Sequence, residues 1–346
     1  MRGFWTRFLG SLFVLWAVVT LTFVISFGLP SDPARMMAGA QARAEDVARI
    51  RRELRLDRPM VEQYTEYMRR LVHLPSTPVG APKSAGAPSV DPVAQAKRDH
   101  RDCADFSWFH LYLGRSYFLN RSVTDLLAER FPRSLGLGLA ALFFEVLIAV
   151  PLGLYCAARR NSRFDRAAMS GNLLLLCLPT FVTGLFLQFI FAHKLQILPL
   201  DGFGTTFFER LRSVVLPALT LGLYGATSFF RLVRHETIAI LDQDFLRTAR
   251  AKGASTRRTF FMHALKPISG ILVSSLFLDL GALVGSAVVT ESLFRWPGVA
   301  AISIASLLDR DGPVLMGCVL VTSISIVVCN ALADVASKWV DPRLRS

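Results

Sequence analysis

The 346 residues contain no G-x-x-x-x-G-K-[ST] run and no acidic metal pair, so the sequence offers no nucleotide site of its own. Ser, His and Asp are present, but no nucleophile sits in a recognisable elbow, and catalytic spacing is missing. Cysteine is scarce and unpatterned. Of the five, Cys156, Cys177, Cys318 and Cys329 fall in or beside apolar runs, where cysteine behaves as a small hydrophobe. Cys103 stands alone in a polar stretch, and His100 beside it would make only two metal ligands, too few for a site. Negative charge is also in short supply, with 26 Asp and Glu against 39 Lys and Arg. A net charge of +13 invites a nucleic-acid reading, but most of the basic residues flank hydrophobic runs or lie in one large loop. That placement fits the side of a membrane.

What remains is apolar: 52% of the residues are hydrophobic, 26 of them Phe, segregated into windows long enough to cross a bilayer. Six membrane helices are expected, at about 9–29, 135–157, 169–192, 214–232, 271–290 and 314–335. The first is read as an uncleaved anchor rather than a signal peptide, because Ala38-Gly39-Ala40 lies well beyond a run already longer than a usual signal core. The domain plan has a first segment and span (1–29), a long extracytoplasmic loop (30–133), a five-helix core (134–335) and a tail (336–346). Within the loop, Glu45–Arg55 and Arg58–Leu74 read as amphipathic helices. Ser122–Arg130 reads as a third, stopping at Phe131-Pro132. Residues 75–92 are rich in Pro, Ala, Gly and Ser and are expected to stay flexible. The start, the 158–168 loop, the 231–267 loop and the tail are dense in Arg and Lys, which places both termini in the cytoplasm.

The segment 244–268 stands out. Gln243–Lys252 is helix-prone, Gly253 can end that helix in a left-handed turn, and Ser255 or Thr256 can cap a second one. In the second helix Phe260, Phe261, Ala264, Leu265 and Ile268 form an apolar stripe. Arg257 and Arg258 occupy its first turn, against the helix dipole, which suggests that they serve something outside the helix. Physical reasoning leaves two readings level: a helix resting on anionic lipid, or a helix laid in a partner's groove.

Arg247-Thr248-Ala249-Arg250-Ala251-Lys252-Gly253 followed by His263-Ala264-Leu265-Lys266-Pro267 resembles the EAA motif of ATP-binding-cassette importer permeases, in the dipeptide, oligopeptide and nickel branch. The resemblance extends along nearly the whole chain. It includes Leu29–Ala34, Leu56–Pro59, Leu113–Ser116, Glu129–Pro132, Leu216–Gly222, Glu291–Gly298 and Asp341–Arg343, in order. Arg247 replaces the glutamate that names the motif, as is common in the peptide branch. A further departure is the insert at 75–107, which could meet a binding protein but reads as a tolerated surface loop.

The resemblance implies an all-α, type I importer permease in a bacterial inner membrane. It implies coupling helices seated on a cytoplasmic ATPase, with Arg247, Ala249, Arg250, Gly253, Arg257, Arg258, Phe260, Phe261, His263 and Leu265 as the coupling residues. Partners would be a homologous second permease, two ATPase subunits that bind the ATP and Mg, and an extracytoplasmic solute-binding protein. Nucleic acid is not among them. A secondary transporter driven by an ion gradient is the rival, and it would be expected to show an inverted repeat that is not found. Within the spans, Glu145 and Asp279 are costly charges and become candidates for the translocation pathway. Asn172, Gln188 and Asn330 are milder cases. Gly281, Ala282, Gly285, Ser286 and Ala287 allow close helix approach, either to a second permease or within the chain.

Overall fold

The computed structural model describes residues 2–28, 33–38, 41–53, 57–73, 103–106, 109–243 and 265–340. They form helices α1 (Arg2–Gly28), α2 (Pro33–Ala38), α3 (Ala44–Glu53) and α4 (Met60–Leu71), then strands β1 (Val72–His73), β2 (Cys103–Phe106) and β3 (Phe109–Tyr112). Helices α5 (Val123–Ala158), α6 (Arg163–Cys177) and α7 (Thr180–Leu187) follow, with a π-helical turn at Gln188–Lys194. The remainder is α8 (Phe207–Leu241), α9 (Leu265–Ser286), α10 (Val288–Leu293), α11 (Val299–Leu308) and α12 (Gly312–Val340). Among the described residues five helices are long and apolar enough to cross a membrane, and six if the bent pair α6 and α7–π counts as one span.

Contacts divide the chain into two compact units, Met1–Phe131 with Ile302–Ser323, and Pro132–Ala301 with Ile324–Ser346. In the first unit α1 turns Leu9, Phe13, Trp16 and Leu21 outward, as a lipid-facing helix does, and buries Phe23 against Tyr64 and Tyr67 of α4. The Tyr64 hydroxyl meets that of Thr20 at 2.7 Å. Burial pushes the Tyr67 phenol up to about 12. A small antiparallel sheet of order β1-β3-β2 follows, with Val72 opposite Leu111 and Ala104 opposite Leu111 on the other side. This sheet departs from the all-α expectation. Its strands are two to four residues long, too short to leave an alternating pattern in the sequence. The β2 strand also lies inside the range read as the insert. The rest of the insert, 75–102 and 107, lies outside the described residues.

Beyond β3 the chain lies on the first turns of α12. Ser116 donates its hydroxyl proton to Asp311, the Phe118 N–H points to the same carboxylate at 3.4 Å, and Gly317 packs against Val123. Tyr117 is partly buried there, and both desolvation and the nearby Asp311 charge push its phenol upward.

In the second unit α5, α8 and α9 make the core. Ala149, Leu154, Phe230, Val233, Ile268 and Leu272 pack at one end, and Leu137, Ala141, Ala218, Leu221 and Trp296 at the other. Two expectations about breaks are corrected here. The helix of Ser122–Arg130 does not stop at Pro132 but runs on through it as α5, and Pro151 lies inside the same helix. A proline removes one N–H from the ladder, whereas a break inside a bilayer would expose several polar groups. The span expected at 169–192 is instead broken: α6 ends at Cys177, Leu178 is extended (ψ 127°) ahead of Pro179, and the axis turns by 103°. Proline disfavours the helical conformation of the residue before it, and Leu178 adopts the extended one.

Small residues on α9 face their own chain. Gly281 lies against Cys329 and Ile326 of α12, and Gly285 faces Ile326. Intrachain packing therefore accounts for these two positions.

Candidate functional site

Both carboxylates flagged within the spans fall in the second unit, and the fold brings them together. Glu145 of α5 is 1% exposed. Asp279 of α9 faces it closely enough to act on it electrostatically, yet neither Glu145 oxygen meets a hydrogen bond of ordinary geometry. Gly225 of α8 backs the Glu145 carboxylate so closely that a Cβ there would collide with it. Asp279, half-buried, takes a long hydrogen bond of 3.4 Å from Ser275 one turn earlier. Of the milder polar residues, Asn330 is exposed and the other two are satisfied locally. Asn172 donates to the Thr227 carbonyl at 3.1 Å, and Gln188 to that of Leu200 at 2.9 Å.

At one end of this unit the chain leaves α8 at Gln243 and returns into α9 at Leu265. Val233 near the exit and Ile268 near the return share one buried cluster, so the intervening stretch starts and finishes at the same end of the bundle. Arg247, Ala249, Arg250, Gly253, Arg257, Arg258, Phe260, Phe261 and His263 lie outside the described residues. Leu265 opens α9, and its side chain is likewise outside the description.

The base of that stretch is described, and it holds acids that sequence reasoning passed over. Asp165, 3% exposed in the first turn of α6, receives both Nε and Nη2 of Arg234 from α8, each at 2.7 Å. It also accepts the Asn161 N–H at 2.9 Å, and the Cys156 thiol hydrogen-bonds to it. Ser162 caps α6 by accepting the Asp165 N–H. Outside this pair, Arg160 meets Asp242 at 2.7 Å, with both side chains about half exposed. The available signal was a lone acid in the run Arg159, Arg160, Arg163, Asp165, Arg166, which was read for its net charge only.

At the opposite end of the unit a second buried acid organises Glu291–Gly298. Glu291 in the middle of the short α10 is fully buried. Its Oε1 accepts the Ser134 hydroxyl at 2.6 Å and its Oε2 the Ala301 N–H at 2.8 Å. Ser134 in turn accepts the Val299 N–H at 2.8 Å, so two first-turn N–H groups of α11 are satisfied by side chains from elsewhere. Trp296 donates to the Arg133 carbonyl at 3.2 Å and stacks edge-on against Phe203 at 5.0 Å. Arg133 and Arg210 both lie over the Phe203 ring.

Comparison with known proteins agrees with this architecture. Residues 149–346 match the family described as binding-protein-dependent transport system inner membrane component, and residues 1–87 match its N-terminal membrane component. A relative from Brucella abortus (strain 2308), provisionally named a peptide transport system permease protein, is 32% identical over 96% of this chain and 95% of its own. The probable D,D-dipeptide transport system permease protein DdpB of Escherichia coli (strain K12) is 31% identical, covering 99% of this chain and 98% of that one. The glutathione transport system permease protein GsiC of Shigella flexneri (serotype 5b, strain 8401) is 29% identical over 98% and 97%. Among solved structures, an inward-facing MetNI methionine ABC transporter chain superposes with a TM-score of 0.54 at 16% identity. The match covers 63% of this chain and 97% of that one.

Proposed function

Since this chain belongs to the binding-protein-dependent transport system inner membrane component family, as the permease subunit of an ATP-binding-cassette importer, we propose that it forms half of a translocation conduit for peptides. The relatives named for peptides, a D,D-dipeptide and glutathione support that cargo class. The other half is a homologous second permease. Two ATPase subunits carry the ATP and Mg, and a solute-binding protein delivers the cargo from outside. This reading displaces the ion-coupled alternative, because the family relatives are ABC transport permeases. The basic end, with Arg159, Arg160, Arg163, Arg166 and Arg231, faces the cytoplasm, and both termini lie on that side.

One observation carries the coupling role: the stretch between Gln243 and Leu265 leaves and rejoins the bundle at this basic end, bracketed by α8 and α9 of the core. Residues 244–268 are the coupling loop, with Arg247, Ala249, Arg250, Arg257, Arg258, His263 and Leu265 at the ATPase contact and Phe260 and Phe261 filling its groove. Gly253→Pro, or Phe260→Asp with Phe261→Asp, is expected to cut co-purification of the cognate ATPase by about tenfold or more while the permease still inserts. Unchanged co-purification would remove the docking role.

Glu145 and Asp279 are the pathway candidates, because a carboxylate in a span without a basic partner is retained only where it faces protein, water or cargo. Asp279→Asn, nearly isosteric, is expected to reduce uptake of a labelled tripeptide by roughly five- to tenfold, with the ATPase still bound. Uptake at the wild-type rate would leave Asp279 as a packing residue.

A further inference from the structure

We propose that the Asp165–Arg234 pair, flanked by Arg160–Asp242, is a transmission strut that makes the start of α6 and the end of α8 one rigid body. The inference rests on the coupling role of residues 244–268, since it concerns how a displacement of that loop is divided among the spans. On connectivity alone a push on the loop reaches only α8 and α9, the helices it joins. The strut delivers it to α6 as well, and through Leu178-Pro179 to the bent half-span beyond.

The geometry argues for a mechanical part. Asp165 is almost fully enclosed, and every oxygen is engaged. Its carboxylate takes a two-pronged guanidinium at 2.7 Å and 2.7 Å, with the Asn161 N–H on one of the same oxygens. A forked pair fixes angle as well as distance, which a single contact does not. The other residue in the grip, Cys156, is fully buried at the end of α5, so the joint takes in the turn between α5 and α6. Arg160–Asp242 is half exposed and worth little in stability, but it ties the same turn to the last residue before Gln243. The two ties lie five positions apart on one side, Arg160 to Asp165, and eight on the other, Asp242 to Arg234, so they clamp two separate points. Two separated clamps oppose rotation as well as translation. A replacement hydrophobic pair could match their stability, since buried ion pairs often give no net gain, so directional rigidity is the better account of the retained charges.

Asp165 and Arg234 are positioning residues, and the test reads position first. The complete importer is reconstituted in nanodiscs with its ATPase and binding protein, carrying spin labels introduced as unnatural amino acids at Arg163 and His235. Both positions are exposed and neither belongs to the strut. Their separation is expected to stay within about 2 Å between the nucleotide-free and vanadate-trapped states, the scale of ordinary interface slippage. A shift of several ångströms in the unmutated strut overturns the proposal, whatever any variant does.

Activity then separates a strut from a plain packing contact. Arg234→Lys keeps the charge and loses the fork. It is expected to retain ATPase co-purification while the stimulation of ATPase by the binding protein falls about tenfold. Asp165→Arg with Arg234→Asp is expected to recover part of that stimulation. Full stimulation in Arg234→Lys would also overturn the strut. Loss of co-purification in the loop variants, with the strut intact, is the signature of the docking role. If the loop variants still co-purify, that role fails and the strut has nothing to transmit.

Discussion

Gly222→Val in α8 is expected to prevent the second unit from assembling, with loss of monodisperse protein after detergent extraction and no transport. A Cβ at Gly222 would stand 2.6 Å from the Ala141 carbonyl oxygen and 2.8 Å from the Phe144 Cβ, both on α5. Neither can swing aside, because one is backbone and the other is the first atom of a side chain in a helix. The glycine is what allows α5 and α8 to touch, and Gly153 repeats the device further along, against Val233 and the Phe230 carbonyl. Overpacking of this kind costs about 1–3 kcal/mol where a neighbour can relax, and more where two helix backbones must separate. The separation would spread to both clusters that α5 and α8 share, Ala149 to Val233 on one side and Leu137 to Leu221 on the other. Gly222→Ala provides the graded version: it should lower the apparent melting temperature by several degrees, on the order of 2–4 °C per kcal/mol. Gly136→Ala on α5, where a Cβ meets open space, is the matched control and should leave melting unchanged.

The same region shows how far the sequence could be read. The apolar windows and basic clusters located the spans, because a bilayer imposes a length and a charge bias that survive without any tertiary information. The match of Leu216–Gly222 to a family motif placed the segment, but not the reason for its last glycine, which depends on what α5 presents to it. Glu145 and Asp279 were singled out one at a time for their cost in a span. That they meet is a property of how α5 and α9 cross. Asp165 and Arg234 are 69 positions apart, and each is unremarkable in a charged turn or at a helix end, so no local pattern pairs them. The sequence reads Pro132 as a helix stop and the span over Pro179 as continuous, and the structure reverses both. They behave differently because α5 carries its ladder past the first, whereas Leu178 is extended before the second. The coupling residues of 244–264 were legible only through resemblance, and they lie outside the described residues.

Removal of the Glu291 carboxylate is the second change with a large expected effect, and its partner Gly298 separates two explanations for it. Glu291→Ala would leave the Ser134 hydroxyl and the Ala301 N–H without their acceptors inside a dry part of the fold, each at about 1–3 kcal/mol, and would open a void as well. A total of about 3–5 kcal/mol is expected, read as a drop in apparent melting temperature on the order of 10 °C. Glu291→Gln keeps the volume and one acceptor oxygen, so it should fall between alanine and the native residue. Gly298→Ala keeps every hydrogen-bonding group and yet should approach the alanine variant in severity. Its methyl group would enter the space of the Glu291 carboxylate itself, and that carboxylate is held from two sides. If packing alone mattered, Glu291→Ala would relieve Gly298→Ala, and the double variant would melt above the single glycine variant. If the carboxylate is needed as the acceptor for the α11 N-terminus, the double variant should be no better than Glu291→Ala. The hydrogen-bond geometry favours the second outcome, because Val299 and Ala301 have their first-turn N–H groups satisfied only through Ser134 and Glu291 among the described contacts. The Glu-to-Gly spacing in Glu291–Gly298 then has a physical meaning: an acid within one short helix, a turn through Arg295 at φ 48°, and a glycine small enough to let the acid reach the next helix.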